Sequence, residues 1–118
     1  MSLLKLNPHF KPAFNGPLIA QQLVSKVADA KPVVVAYLFG SAALGKNTSN
    51  SDLDILLVVP DGSDIKKYHQ FVNTPYFSPV AVDWIIKSTG DFEKDKNIGG
   101  VAMIAIQTGI ELKVHGSK

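Results

Sequence analysis

The sequence predicts a single small α/β domain, and three observations carry that expectation. Pro32–Phe39 is a continuous β-branched and aromatic run, the pattern of a strand buried on both faces. Asp52–Val59 is a second strand-like run, stopped by the turn residues Pro60-Asp61-Gly62. Around these runs lie segments with apolar residues at helical spacing, and strands interleaved with helices pack as layers.

The elements follow in order. Residues 1–16 carry Pro8 and Pro12, end in Asn15-Gly16 and read as an irregular lead-in. Pro17 suits the first position of a helix. Ile19, Ala20, Leu23, Val24 and Val27 share one face of it, and Lys31-Pro32 ends it. After Phe39 the chain turns at Gly40-Ser41, and a short polar segment leads to Ser51. Ser63–Asn73 reads as a helix capped by Ser63. Its Ile65, Tyr68, Phe71 and Val72 face inward, and Lys66, Lys67 and Gln70 face water. A loop with Pro75 and Pro79 leads to a third strand, Val80–Lys87. Residues 91–97 are charged and are expected to be solvated. Ile98–Gln107 is a small-residue apolar helix weakened by Gly99-Gly100, with Gly109 as its cap and Ile110–Val114 as a last strand. The expected domain is 17–114, followed by a tail at 115–118.

Composition closes off several function classes. A chain of 118 residues holds one core and buries about two thirds of its unfolded surface. No cysteine is present, so disulfide frameworks, thiolate zinc sites and cysteine nucleophiles are excluded. The net charge of +2 is too small to argue for nucleic acid or an anionic membrane. All 12 basic residues are lysine, so any phosphate contact must use lysine, hydroxyls or backbone N–H groups. The longest apolar run, Val33–Phe39, is far short of a membrane span, and MSLLKLNPHF has no signal-peptide core. A soluble cytoplasmic protein is expected.

Three carboxylates carry the candidate chemistry. Asp52 and Asp54 lie two apart on a strand and project from one face, with Leu53 and Ile55 on the other. Their Cα atoms are roughly 6.6 Å apart, close enough to bridge two divalent cations ~3.5–4 Å apart. Asp83 interrupts the apolar run Val80–Ile86, where a charge is costly unless paired or metal-bound. A lone Asp-x-Asp is more often a strand-start pair, and Asp83 alone fits an exposed edge. A neighbouring strand is only ~4.8 Å away, so the three can meet if their strands are adjacent. Gly40 lets the backbone approach a ligand closely, and Ser41 opens a helical turn whose N–H groups favour phosphate oxygens. The segment Gly40–Asn47 also nearly matches G-x-x-x-x-G-K-[ST]. Asn47 replaces the required hydroxyl there, and the next strand begins before the required helix could form, so a P-loop is rejected.

Gly40-Ser41, ten further residues and Asp52-Leu53-Asp54 resemble the G-S-x(10)-D-x-D signature of the minimal nucleotidyltransferases, in the DNA polymerase β-like superfamily. The leading helix, Gly45, Ser51, Asp83 and Gly109-Ile110-Glu111-Leu112 fall where that family has equivalents, so the resemblance runs from about Pro17 to near the end of the chain. It implies the nucleotidyltransferase fold, a small mixed sheet with helices packed against it. It also implies roles: Gly40 and Ser41 hold the triphosphate, Asp52 and Asp54 bind two Mg²⁺ ions, and Asp83 completes the metal that activates the attacking hydroxyl. The implied reaction moves a nucleoside monophosphate, AMP from ATP by expectation, onto an acceptor hydroxyl. Small members act as antitoxins that bind and adenylylate a HEPN-domain ribonuclease, so a HEPN-domain partner is implied. A homo-oligomer is compatible with the sequence.

The family often reads Gly-Ser-Arg-x-Arg-Gly, whereas this chain has Ala42 and Leu44 in place of both arginines. Lys46 is then the nearest cation for the triphosphate, a point charge rather than a fork. The alternative reading is a catalytically weak binding module that neutralises a partner by occlusion. His9, His69 and His115 show no ligand spacing, Trp84 alternates away from Asp83 into the core, and Lys66-Lys67 is a solvated helix face.

Overall fold

The computed structural model describes residues 14–48 and 51–114. Most of the expected lead-in, the tail 115–118, His9 and His115 lie outside the described residues. The element order is α1 (Gly16–Ala30), β1 (Val35–Phe39), β2 (Leu53–Val59), α2 (Ile65–Val72), β3 (Val82–Ser88), α3 (Thr89–Lys96), α4 (Val101–Thr108) and β4 (Ile110–Leu112).

α1 starts where Asn15 accepts a hydrogen bond from the Leu18 N–H at 3.0 Å, with Pro17 in its first turn. Of its apolar stripe, Ala20, Leu23, Val24 and Val27 are fully buried and Ile19 is half-buried at the edge of the core. α2 begins one residue later than a Ser63 cap would place it. Asp64 occupies the cap position and makes no side-chain capping bond. The charged stretch 91–97 lies mostly in α3, and all of it except Phe92 is exposed or half-buried, as expected. Ser88 caps α3 by accepting from the Asp91 N–H at 3.2 Å, Lys94 and Lys96 complement its C-terminal end, and Phe92 is buried beneath it. Gly99 adopts a left-handed φ of 83°, which delays α4 to Val101.

The four strands form one mixed sheet in the order β3-β2-β1-β4. β1 runs antiparallel to β2 and β4, and β2 runs parallel to β3. β2 is therefore central, and six of its seven residues are buried. Helices cover both faces. Leu53, Ile55, Leu57 and Val59 point to α1 and α2, where Tyr68 donates to the Pro32 carbonyl at 2.6 Å. Trp84 packs edge-on against Phe77 in that same core, as its alternation with Asp83 predicts. Leu56 and Val58 point to the opposite face and meet Phe92 of α3 and Ala102 and Ala105 of α4. Burying two faces explains why β2 reads as a continuous apolar run after Asp54. No helix among the described residues is long and apolar enough to cross a membrane.

Candidate active site

The C-terminal end of β1 and the N-terminal ends of β2 and β3 lie at one end of the sheet. There the chain leaves β1 through Gly40, whose φ is 79°. A Cβ on Gly40 would collide with the Asp54 carboxylate, so glycine is what lets the turn lie directly against that acid. The next residues wind into consecutive tight turns. Ala43 N–H donates to the Gly40 carbonyl at 3.2 Å, Leu44 N–H to Ser41 at 3.1 Å and Lys46 N–H to Ser41 at 2.9 Å. Ser41 thus heads a helical turn, half-buried, and Lys46 stands exposed at its far end.

Register assembles the acids. Asp54 pairs with Phe39 on β1 and with Asp83 on β3. The next pair, Ile55 and Trp84, enters the α1 core, so Asp54 and Asp83 share the other face of the sheet. Asp52 is exposed and lies one residue before β2 rather than inside it. Asp54 is half-buried, and its carboxyl is held above the usual aspartate range, first by burial, then by the charge of Asp83 and then by that of Asp52. The ion pairs among the described residues, Lys87–Asp95 and Lys96–Glu93, both at 2.7 Å, leave these three acids uncompensated. No three His, Cys, Asp or Glu side chains among the described residues converge closely enough to hold a metal ion. The donor set nevertheless suits a hard divalent cation: it is all carboxylate oxygen, with Asp54 half-buried, Asp52 and Asp83 exposed, and no ion pair to any of them among the described residues.

Other side chains fall outside this arrangement. His69 sits half-buried on α2, and Lys66 and Lys67 are exposed there. Asn47 stands out in the sequence only as a departure from a P-loop, yet it is buried to 1% exposure. An asparagine within a polar stretch carries no sequence signal of burial.

A mixed sheet with helices on both faces thus carries acids at one end, with Asp54 against the Gly40 turn. The chain belongs to the nucleotidyltransferase domain family, whose model matches residues 20–99, more than half of its length. Those residues include Gly40, Ser41, Asp52, Asp54 and Asp83. Among solved structures, the chain is similar to a candidate nucleotidyltransferase from Sulfolobus solfataricus, with 23% identity, 92% of each chain covered and a TM-score of 0.58. At that identity the likeness shows a shared fold. No curated protein matches the chain.

Proposed function

We propose that the protein transfers a nucleoside monophosphate from Mg²⁺-bound nucleoside triphosphate, with ATP as the expected donor, to an acceptor hydroxyl. The observation that carries this reading is the registered pair Asp54 and Asp83 beside the Gly40-Ser41 turn. In this reading Gly40 and Ser41 hold the triphosphate and Lys46 offsets part of its charge. Asp52 and Asp54 hold two Mg²⁺ ions, and Asp83 completes the ligand set on the acceptor side. The ions, when bound, act as Lewis acids that neutralise charge on the α-phosphate and on the departing pyrophosphate. The protein itself aligns the acceptor oxygen with the α-phosphorus and opposite the leaving group. The new bond is O–Pα, the broken bond is Pα–O to pyrophosphate, and the hydroxyl proton leaves to solvent.

The acceptor is proposed to be a protein hydroxyl, and a HEPN-domain toxin is the partner of choice, with this chain as its antitoxin. The domain 17–114 would be the catalytic unit, working in the cytoplasm. A second reading, neutralisation by occlusion alone, is favoured by one observation: Ala42 and Leu44 stand where phosphate-binding arginines are common, and the chain has no arginine elsewhere.

The test is label transfer from ATP carrying ³²P at either the α or the γ position, with Mg²⁺ and the protein encoded by the adjacent gene. Label from the α position alone, with release of pyrophosphate, is the expected result. Label from the γ position would make the protein a kinase. Tight complex formation with no transfer would select the occlusion reading.

A further inference from the structure

We propose that Asn47 is a positioning residue whose side-chain amide latches the Gly40–Lys46 turn to Phe14, the residue just before the N-cap of α1. The proposal rests on the nucleotidyl-transfer reading for its consequence but not for its geometry. Asn47 Nδ2 donates to the Phe14 carbonyl at 2.9 Å, across 33 residues of sequence. Its Oδ1 is also buried and accepts no hydrogen bond among the described residues. Burying an amide whose oxygen has no partner is costly, so the site would favour an apolar residue if filling space were the only task.

The surroundings show what the donor accomplishes. A cleft of about 630 Å³ separates the start of α1 from the turn, lined by Phe14, Pro17, Ala42, Leu44 and Asn47 among others. Among the described residues, therefore, the turn is not packed down continuously on this side. Two contacts among the described residues stand out across the gap. At one, Gly16 abuts Ala42 so closely that a Cβ on Gly16 would lie 2.8 Å from the Ala42 Cβ. At the other, Asn47 holds Phe14. The neighbouring Lys46 N–H then donates to the Ser41 carbonyl at 2.9 Å, so the latch reaches the residue that opens the turn. A turn fixed at both ends presents Ser41 and its backbone without first having to be ordered by the ligand.

The decisive variant is Asn47→Leu in the full chain. It deletes the latch and the unused acceptor together, so the melting temperature should hold or rise. Amide exchange at Ala43, Gly45 and Lys46 should nevertheless accelerate, and Mg²⁺-ATP should bind roughly tenfold more weakly, the loss expected for one poorly positioned contact to a charged group. Asn47→Ala serves as the second variant and should show the same exchange and binding changes. Unchanged exchange and unchanged ATP affinity in a folded Asn47→Leu protein would overturn the latch. If the unmodified chain binds no Mg²⁺-ATP, the nucleotidyl-transfer reading falls, and the exchange comparison alone still decides the latch.

Discussion

Gly40 and Asp54 occupy one volume between them: the carboxylate of Asp54 fills the space that any side chain at position 40 would need. The contact joins the turn after β1 to the start of β2, in the register that also pairs Phe39 with Asp54. One residue therefore serves the local conformation, through its φ of 79°, and also the position of the central acid.

Gly40→Ala should consequently fail twice over. A non-glycine residue in that conformation costs about 1–3 kcal/mol, and the new methyl must displace the Asp54 carboxylate. Chemical denaturation should show a lowered midpoint, and Mg²⁺-ATP binding should be lost even in the fraction that remains folded. A variant with wild-type stability and ATP affinity would show that the turn does not need this approach.

Asp54→Asn addresses the electrostatics. The Asp54 carboxyl is raised above its ordinary value by burial and by Asp83 and Asp52. A raised carboxyl favours the folded state while protonated, and that contribution is lost as pH rises through the elevated pKa. Without metal, the melting temperature of the wild type relative to Asp54→Asn should therefore fall as pH rises from the ordinary aspartate value to neutrality. At pH 7 the variant should be as stable as the wild type or slightly more so. Saturating Mg²⁺ and ATP should raise the wild-type melting temperature by about 10 °C, taking a hundredfold excess over Kd. The variant should lose most of that rise. A sharp drop in its metal-free melting temperature would make Asp54 a structural partner instead.

Ser41 and Lys46 separate orientation from charge at the two ends of one turn. Ser41→Ala should keep the fold and lower transfer by roughly 10²–10³, the range for a lost donor in comparable sites. Lys46→Ala should weaken ATP binding and flatten its dependence on salt, because an exposed cation acts through a screened field. Equal salt dependence in both forms would leave Lys46 as a solvated loop residue.

Gly109→Ala tests the scaffold rather than the site. A Cβ there would lie 2.5 Å from the Ala105 carbonyl oxygen and 2.6 Å from that of Leu38. Both are backbone atoms and cannot rotate away, so about 1–3 kcal/mol of destabilisation is expected, the range for overpacking. The backbone at Gly109 is extended, with φ −94°, so the effect would report space and not a forbidden conformation. An unchanged denaturation midpoint would mean that α4 can shift away from β1.

Local chemistry accounts for what was legible in the sequence. Alternation set Asp52 and Asp54 against Leu53 and Ile55, and the apolar stripe of α1 followed from spacing alone, because both are periodicities of a single segment. The composition of TGDFEKDK shows its solvated face but not its helix or the burial of Phe92. Its helix depends on the Ser88 cap and on Phe92 finding a pocket between α3 and the sheet, and that pocket is not a local property. Asn47 is illegible for the same reason: the carbonyl it bonds, that of Phe14, lies 33 residues away in the chain. The single chain of residues thus determined the class of fold, the Gly-Ser turn and the identity of the three acids. Only the tertiary structure decided that β2 and β3 lie side by side in parallel, with Asp54 opposite Asp83. Strand pairing is a choice among distant segments, governed by shared core burial and loop closure, and no single window of sequence contains those terms.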